Sequence, residues 1–177
     1  RIQEGIHNTL FVHVTLAPVL DAVGEQKTKP TQHTVQELRR IGIQPDILVV
    51  RSQAPLLPES KEKISLFSNV PICNVISNTD AKSIYAVPQI LESEGIVDPI
   101  CEHLNLGVRN LRWDSWPKIA VSFLKSSGEI SVVMVGKYVS LADSYVSVNE
   151  ALEHAAAKEG FKSRVDWIDA EKFKNSA

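Results

Sequence analysis

The 177 residues, 44% of them hydrophobic and 23% charged, suit one medium domain or parts of two and suffice to bury a real core. Nineteen Lys and Arg against 21 Asp and Glu leave a formal net charge of -2, so bulk charge offers no argument for nucleic acid and any anion site must come from a local cluster. The composition excludes disorder and collagen, and no apolar run approaches the ~20 residues that a membrane span requires.

Taken in chain order, Thr9 to Leu16 is dense in apolar residues and reads as a buried strand, with Leu10, Val12, Val14 and Leu16 on one face. On its other face His13 is expected as a packed core side chain. Residues 17 to 31 are turn-like. A helix is expected from Thr31 or Gln32 to Ile41, burying Val35, Leu38 and Ile41 and stopping at Gly42. Asp46 to Val50 is a short apolar strand, and Pro58 opens a helix that turns Ile64 and Phe67 inward. Asn74 to Ser77 is a further strand, followed by a helical stretch from Ser83 to Glu94 that Pro88 disturbs. Strand–helix alternation predicts an α/β fold on a parallel sheet, whose ligand crevice lies beyond the strand C-termini. The loops after Leu16, Val50 and Ser77 would face that crevice together.

Residues 105 to 128 read as a partly helical linker ending in a polar hinge. Ile130 to Gly136 then begins a new strand, Asp143 to Lys158 a helix with Tyr145, Val148, Leu152 and Ala155 at helical spacing, and Arg164 to Ile168 a second strand. This β-α-β unit suggests the opening of a second domain. The chain starts at Arg1 without Met and stops shortly after a strand, so it is expected to be an excerpt of a longer polypeptide.

The densest chemical signal is Lys27-Thr28-Lys29-Pro30-Thr31-Gln32-His33. Two ammonium groups and the N–H groups of a helix start can converge on one polyphosphate, although a solvated basic loop would look the same. Lys63 lies in a mixed-charge stretch that, taken alone, reads as an exposed helix face. Arg51, at the crevice end of its strand, suits a base or a phosphate, or plain surface. Asp80 suits a helix N-cap or a base-reading carboxylate. Cys101 lacks an exposing elbow, and His103 two residues on faces elsewhere on a helix, so a buried structural thiol is expected rather than a nucleophile. Cys73 and Cys101 make no disulfide framework, which sets a reducing cytoplasmic setting as the expectation. The five histidines and two cysteines show no metal-ligand spacing, and no GxxxxGK[ST] loop occurs.

Five segments together resemble one family: Gly24 to Gln32 (GEQKTKPTQ), Ile41 to Ser52 (IGIQPDILVVRS), Lys61 to Phe67 (KEKISLF), Val75 to Tyr85 (VISNTDAKSIY) and Val135 to Tyr145 (VGKYVSLADSY). In order and interval they are similar to the glutamine-dependent CTP synthases, over His7 to about Asp169. The resemblance implies a partial amidoligase domain of P-loop-type parallel α/β fold at 1–104, a linker at 105–128, and the first β-α-β of a class I glutaminase domain at 129–177. The family aminates UTP to CTP, using ATP to phosphorylate O4 and ammonia from glutamine to displace the phosphate. The resemblance assigns Lys27, Thr28, Lys29, Pro30, Thr31, Gln32 and Lys63 to the phosphates of UTP and of feedback-bound CTP. It assigns Arg51, Thr79, Asp80 and Ala81 to the ATP base. The family's P-loop, its Mg²⁺-binding acidic residues and its glutaminase nucleophile match nothing here, so no catalytic or metal residue is assigned. Val146 stands where bacterial members often carry a Lys linked to GTP response. A cytoplasmic homotetramer with ATP and Mg²⁺ is the implied setting, without nucleic acid or membrane. The competing expectation is a non-catalytic CTP/UTP-binding or assembly module. Other amidoligases, of cobyrinate or dethiobiotin type, share the fold class but not KTKPTQ.

Overall fold

The computed structural model describes residues 1–20, 25–107, 113 and 115–173. They fall into two compact units, Arg1–Leu111 and Arg112–Ala177.

In the first unit β1 (Val12–Leu16) is followed by a small antiparallel pair, β2 (Val19–Leu20) and β3 (Glu25–Gln26). Then come α1 (Lys29–Arg40), β4 (Ile47–Ser52), α2 (Pro58–Ser68), β5 (Val75–Thr79), α3 (Val87–Ser93) and α4 (Val97–His103). The main sheet has the order β1-β4-β5 and is parallel throughout, as the strand–helix alternation predicts.

Central β4 buries both faces, which explains its unbroken apolar run. Leu48 and Val50 pack with Val35 of α1 and Ile64 of α2, while Ile47 and Val49 join Ile76 against Leu91, Ile96 and Ile100. Edge strand β1 differs from expectation: Val12, Val14 and Leu16 are exposed. Its covered face instead carries Thr15, buried, and His13, half-buried, whose Nε2 lies 2.9 Å from Thr34 Oγ1.

Helix α1 begins at Lys29, two residues before the earliest expected start, because Pro30 is well suited to a first turn. It ends at Arg40, and Gly42 just past the cap turns the chain away with a φ of +87° that is open to glycine and strained for other residues. Ile41, at its C-cap, is 64% exposed and not buried, and Phe67 of α2 is likewise 52% exposed. The expected helical stretch is broken just before Pro88, into a 3₁₀ turn at Ile84–Ala86 and α3 with Pro88 in its first turn, and Ser83 caps the 3₁₀ turn by accepting from the Tyr85 N–H.

The second unit contains α5 (Trp116–Ser122), β6 (Glu129–Gly136), α6 (Val146–Lys158) and β7 (Lys162–Asp169). Strands β6 and β7 are parallel and joined by α6, the β-α-β unit read from the sequence. A 3₁₀ turn at Ala142–Tyr145 precedes α6, and the residues α6 buries are Ala156 and Ala157, while Val148 and Ala155 are exposed. Tyr145 packs on Trp167 at 4.5 Å between ring centroids and donates to the Lys137 carbonyl at 2.6 Å. A Cβ at Gly136 would stand 2.6 Å from that hydroxyl, so a larger residue here would have to displace the Tyr145 side chain. Among the described residues, no helix is long and apolar enough to cross a membrane.

Candidate functional site

The basic segment sits where two secondary elements meet. Register Leu20↔Glu25 and Val19↔Gln26 carries the chain along β3, and the Lys27 N–H extends the ladder by donating to the Pro18 carbonyl at 2.8 Å. Gln26 is buried and bidentate. Its Nε2 donates to the Pro55 carbonyl and its Oε1 accepts the Leu57 N–H, each at 2.8 Å. This ties the segment to the start of α2, the helix that carries Lys63.

The result is an open pocket of about 460 Å³ lined by Glu25, Gln26, Lys27, Thr28, Lys29, Gln32, Lys63 and Phe67. Its volume falls within the range of small-molecule sites. Lys63 thus meets Lys27 and Lys29 from a separate helix, and Phe67 one turn on supplies an apolar wall. Three ammonium groups face one carboxylate, that of Glu25, which Lys27 Nζ contacts at 2.6 Å. The hydrogen bond and charge of Lys27, with the charge of Lys63 adding, hold the Glu25 carboxyl below its usual range.

Within the segment, Gln32 Nε2 donates to Thr28 Oγ1 at 3.0 Å across the first turn of α1. Thr31 is 0% exposed; its hydroxyl donates to the Leu16 carbonyl at 3.1 Å and accepts from Thr15 Oγ1 at 3.4 Å. That side chain locks α1 to β1 and does not reach the pocket. Pro30 is exposed and shapes the first turn. Of the nine residues from Glu25 to His33, Lys27, Thr28, Lys29 and Gln32 are the expected ones that line the cavity. Glu25, Gln26 and Phe67 line it as well, although sequence reasoning did not single them out. The adjacency of Glu25 and Gln26 to KTKPTQ was the available signal.

Arg51 and Asp80 stand at the C-terminal ends of β4 and β5, and neither lines that cavity. Arg51 lies within β4, one residue before its end, and its Nη2 donates to Asp80 Oδ1 at 3.1 Å. Asp80 is held by its own N–H donating to the Ser52 carbonyl at 3.1 Å, which continues the ladder past Ser52↔Thr79. Thr79 and Ala81 flank it half-buried, so Arg51, Thr79, Asp80 and Ala81 form a second polar patch at the sheet end. The cap of the following turn is Ser83 and not Asp80.

No group of three or more His, Cys, Asp or Glu gathers among the described residues. Glu25 is held by Lys27 and Asp80 by Arg51, so these residues do not fit a Mg²⁺ site. Cys101 is half-buried in α4 and Cys73 exposed, both as free thiols. Val146 is the first residue of α6.

The model of the CTP synthase N-terminus matches residues 1–106. A CTP synthase of Thermococcus gammatolerans is 46% identical over 171 residues, covering 97% of this chain and 32% of that protein. A CTP synthase of Thermosynechococcus vestitus is 47% identical over 171 residues, with the same two shares, 97% and 32%. A CTP synthase of Gloeothece citriformis is 46% identical over 177 residues, 100% of this chain and 32% of its own. The chain therefore spans about a third of the length of the curated relatives it matches. With the parallel α/β sheet and the family model covering residues 1–106, the chain belongs to the CTP synthase family.

Proposed function

We propose that this chain supplies the pyrimidine-nucleotide phosphate site and part of the ATP base site of a glutamine-dependent CTP synthase, a ligase that aminates UTP to CTP. One observation carries the reading: Lys27 and Lys29 from the start of α1 and Lys63 from α2 line one open pocket. A triphosphate concentrates negative charge on adjacent groups, and fixed ammonium groups are what such a ligand requires. Thr28 and Gln32 add polar groups between the lysines, and UTP and feedback-bound CTP would share the pocket because they share a triphosphate. Pro30 shapes the turn, and Thr31 serves through its buried anchor on Leu16. Arg51 would lie on the ATP base, with the Thr79-Asp80-Ala81 turn reading it by hydrogen bonds.

In this reading residues 1–104 are the later part of the amidoligase domain, 105–128 a linker, and 129–177 the start of a class I glutaminase domain. Matches to relatives across 97% to 100% of the chain support that order, as does the parallel β6-α6-β7 unit. Phosphorylation of UTP and release of ammonia from glutamine are assigned to parts of the enzyme that these residues do not match. ATP, Mg²⁺, glutamine, GTP, a cytoplasmic setting and a homotetramer belong to the same proposal for the whole enzyme. A second reading is a non-catalytic CTP/UTP-binding or assembly module, which would use the same lysine-lined pocket.

Competition calorimetry tests the common part of both readings. UTP titrated into the 177-residue chain should bind, and CTP should displace it one for one; binding of both at once would contradict a shared pocket. CTP formation by this chain from ATP, UTP and ammonia would contradict the assignment of catalysis elsewhere.

A further inference from the structure

The pocket holds a carboxylate among its lysines. Glu25 Oε2 lies 2.6 Å from Lys27 Nζ, and both residues line the cavity together with Lys29 and Lys63. Resting on the reading of this pocket as a nucleoside triphosphate site, we propose that Glu25 is its built-in counter-anion. Glu25 occupies Lys27 while the site is free, is displaced by the incoming triphosphate, and so sets the affinity and charge selectivity of the pocket.

Two features make the contact displaceable. The Glu25 backbone is fixed in β3 opposite Leu20, and buried Gln26 beside it is clasped by Pro55 and Leu57, so only the Glu25 side chain has to move. That side chain is exposed, as is much of Lys27, with 60% and 37% of their side-chain surfaces open. An exposed ion pair is weak and its rotamers exchange quickly. A ligand bearing several negative charges can outbid one carboxylate for Lys27 while also engaging Lys29 and Lys63. A monophosphate has less to set against the same displacement. The depressed proton affinity of Glu25 agrees with this placement, since Lys63 as well as Lys27 stabilises its charge.

The test is a double-mutant cycle on the 177-residue chain, read by calorimetric titration with UTP and with inorganic tripolyphosphate. Glu25→Gln should tighten both by about threefold to tenfold, whereas Glu25→Asp, which keeps the charge, should stay near the wild type. The gain should shrink to less than about twofold in a Lys27→Ala background, because the carboxylate acts mainly through that ammonium group. The unliganded melting temperature of Glu25→Gln should match the wild type, which separates this role from a structural one. Wild-type binding with no tightening in Glu25→Gln, or a gain undiminished without Lys27, would overturn the inference and leave the pocket standing. Failure of the wild type to bind either ligand would overturn the triphosphate reading itself, and the inference with it.

Discussion

Leu57 donates its backbone N–H to the Oε1 of Gln26, 31 residues earlier, at 2.8 Å. The other end of the same amide donates to the Pro55 carbonyl, which fixes which end is oxygen and which nitrogen. A single buried side chain thus sets the distance between the segment bearing Lys27 and the helix bearing Lys63. Gln26→Leu removes both bonds and leaves the Leu57 N–H and Pro55 carbonyl to find other partners. It should cost about 1–3 kcal/mol in urea unfolding and also weaken triphosphate binding in titration. Full binding in a destabilised variant would show that the clasp does not position the lysines.

Thr31 should behave in the opposite way to its neighbours. Its hydroxyl is wholly buried on the Leu16 carbonyl, so Thr31→Val keeps the shape and loses the bond. About 1 kcal/mol of stability should go, with nucleotide affinity within about twofold of the wild type. A large affinity loss at unchanged stability would mean that the side chain reaches the ligand.

At the β5 end of the sheet, Glu94 Oε2 accepts from Lys61 Nζ at 2.7 Å and from the Ser77 N–H at 3.1 Å. It therefore closes the open edge of β5 and ties that strand to α2. Glu94→Ala leaves a half-buried ammonium and a strand N–H without this partner, and should cost about 1–3 kcal/mol by chemical denaturation. A loss below about 0.5 kcal/mol would show that water replaces the carboxylate freely.

His13 gives a pH signature. Burial beside α1 lowers its proton affinity from the ordinary value of 6.5. The unfolded chain then binds more protons than the folded one below that value. Stability is therefore full above pH 6.5 and declines as the pH falls toward the lowered folded value. Thermal melts from pH 7.5 to 5 should show that decline, and His13→Gln should make it shallower. Identical slopes would remove His13 from the account.

The sheet and half of the site were legible because local chemistry specifies them. The apolar run of β4 announced a strand covered on both faces, and KTKPTQ placed two lysines at a helix start. What periodicity could not show is which face finds a neighbour. Val12, Val14 and Leu16 alternate like a core strand, yet β1 is the sheet edge and that face stays exposed. In α6 the small Ala156 and Ala157, near the C-terminal end of the helix, are the buried residues, and larger Val148 toward its start is exposed. Phe67 looked like core by spacing but faces the pocket wall. Glu25 and Gln26 carried no signal beyond their adjacency to KTKPTQ, because their roles depend on the ion pair with Lys27 and on Leu57 far along the chain.

The proposed convergence of Lys27 and Lys63 on one triphosphate is tested most directly by UTP titration of the Lys27→Ala, Lys63→Ala double variant against the wild type. The wild-type chain should bind, and the double variant should lose roughly a hundredfold or more in affinity with its unliganded melting temperature little changed. Nucleotide binding that survives both substitutions would place the ligand elsewhere and contradict the assigned site.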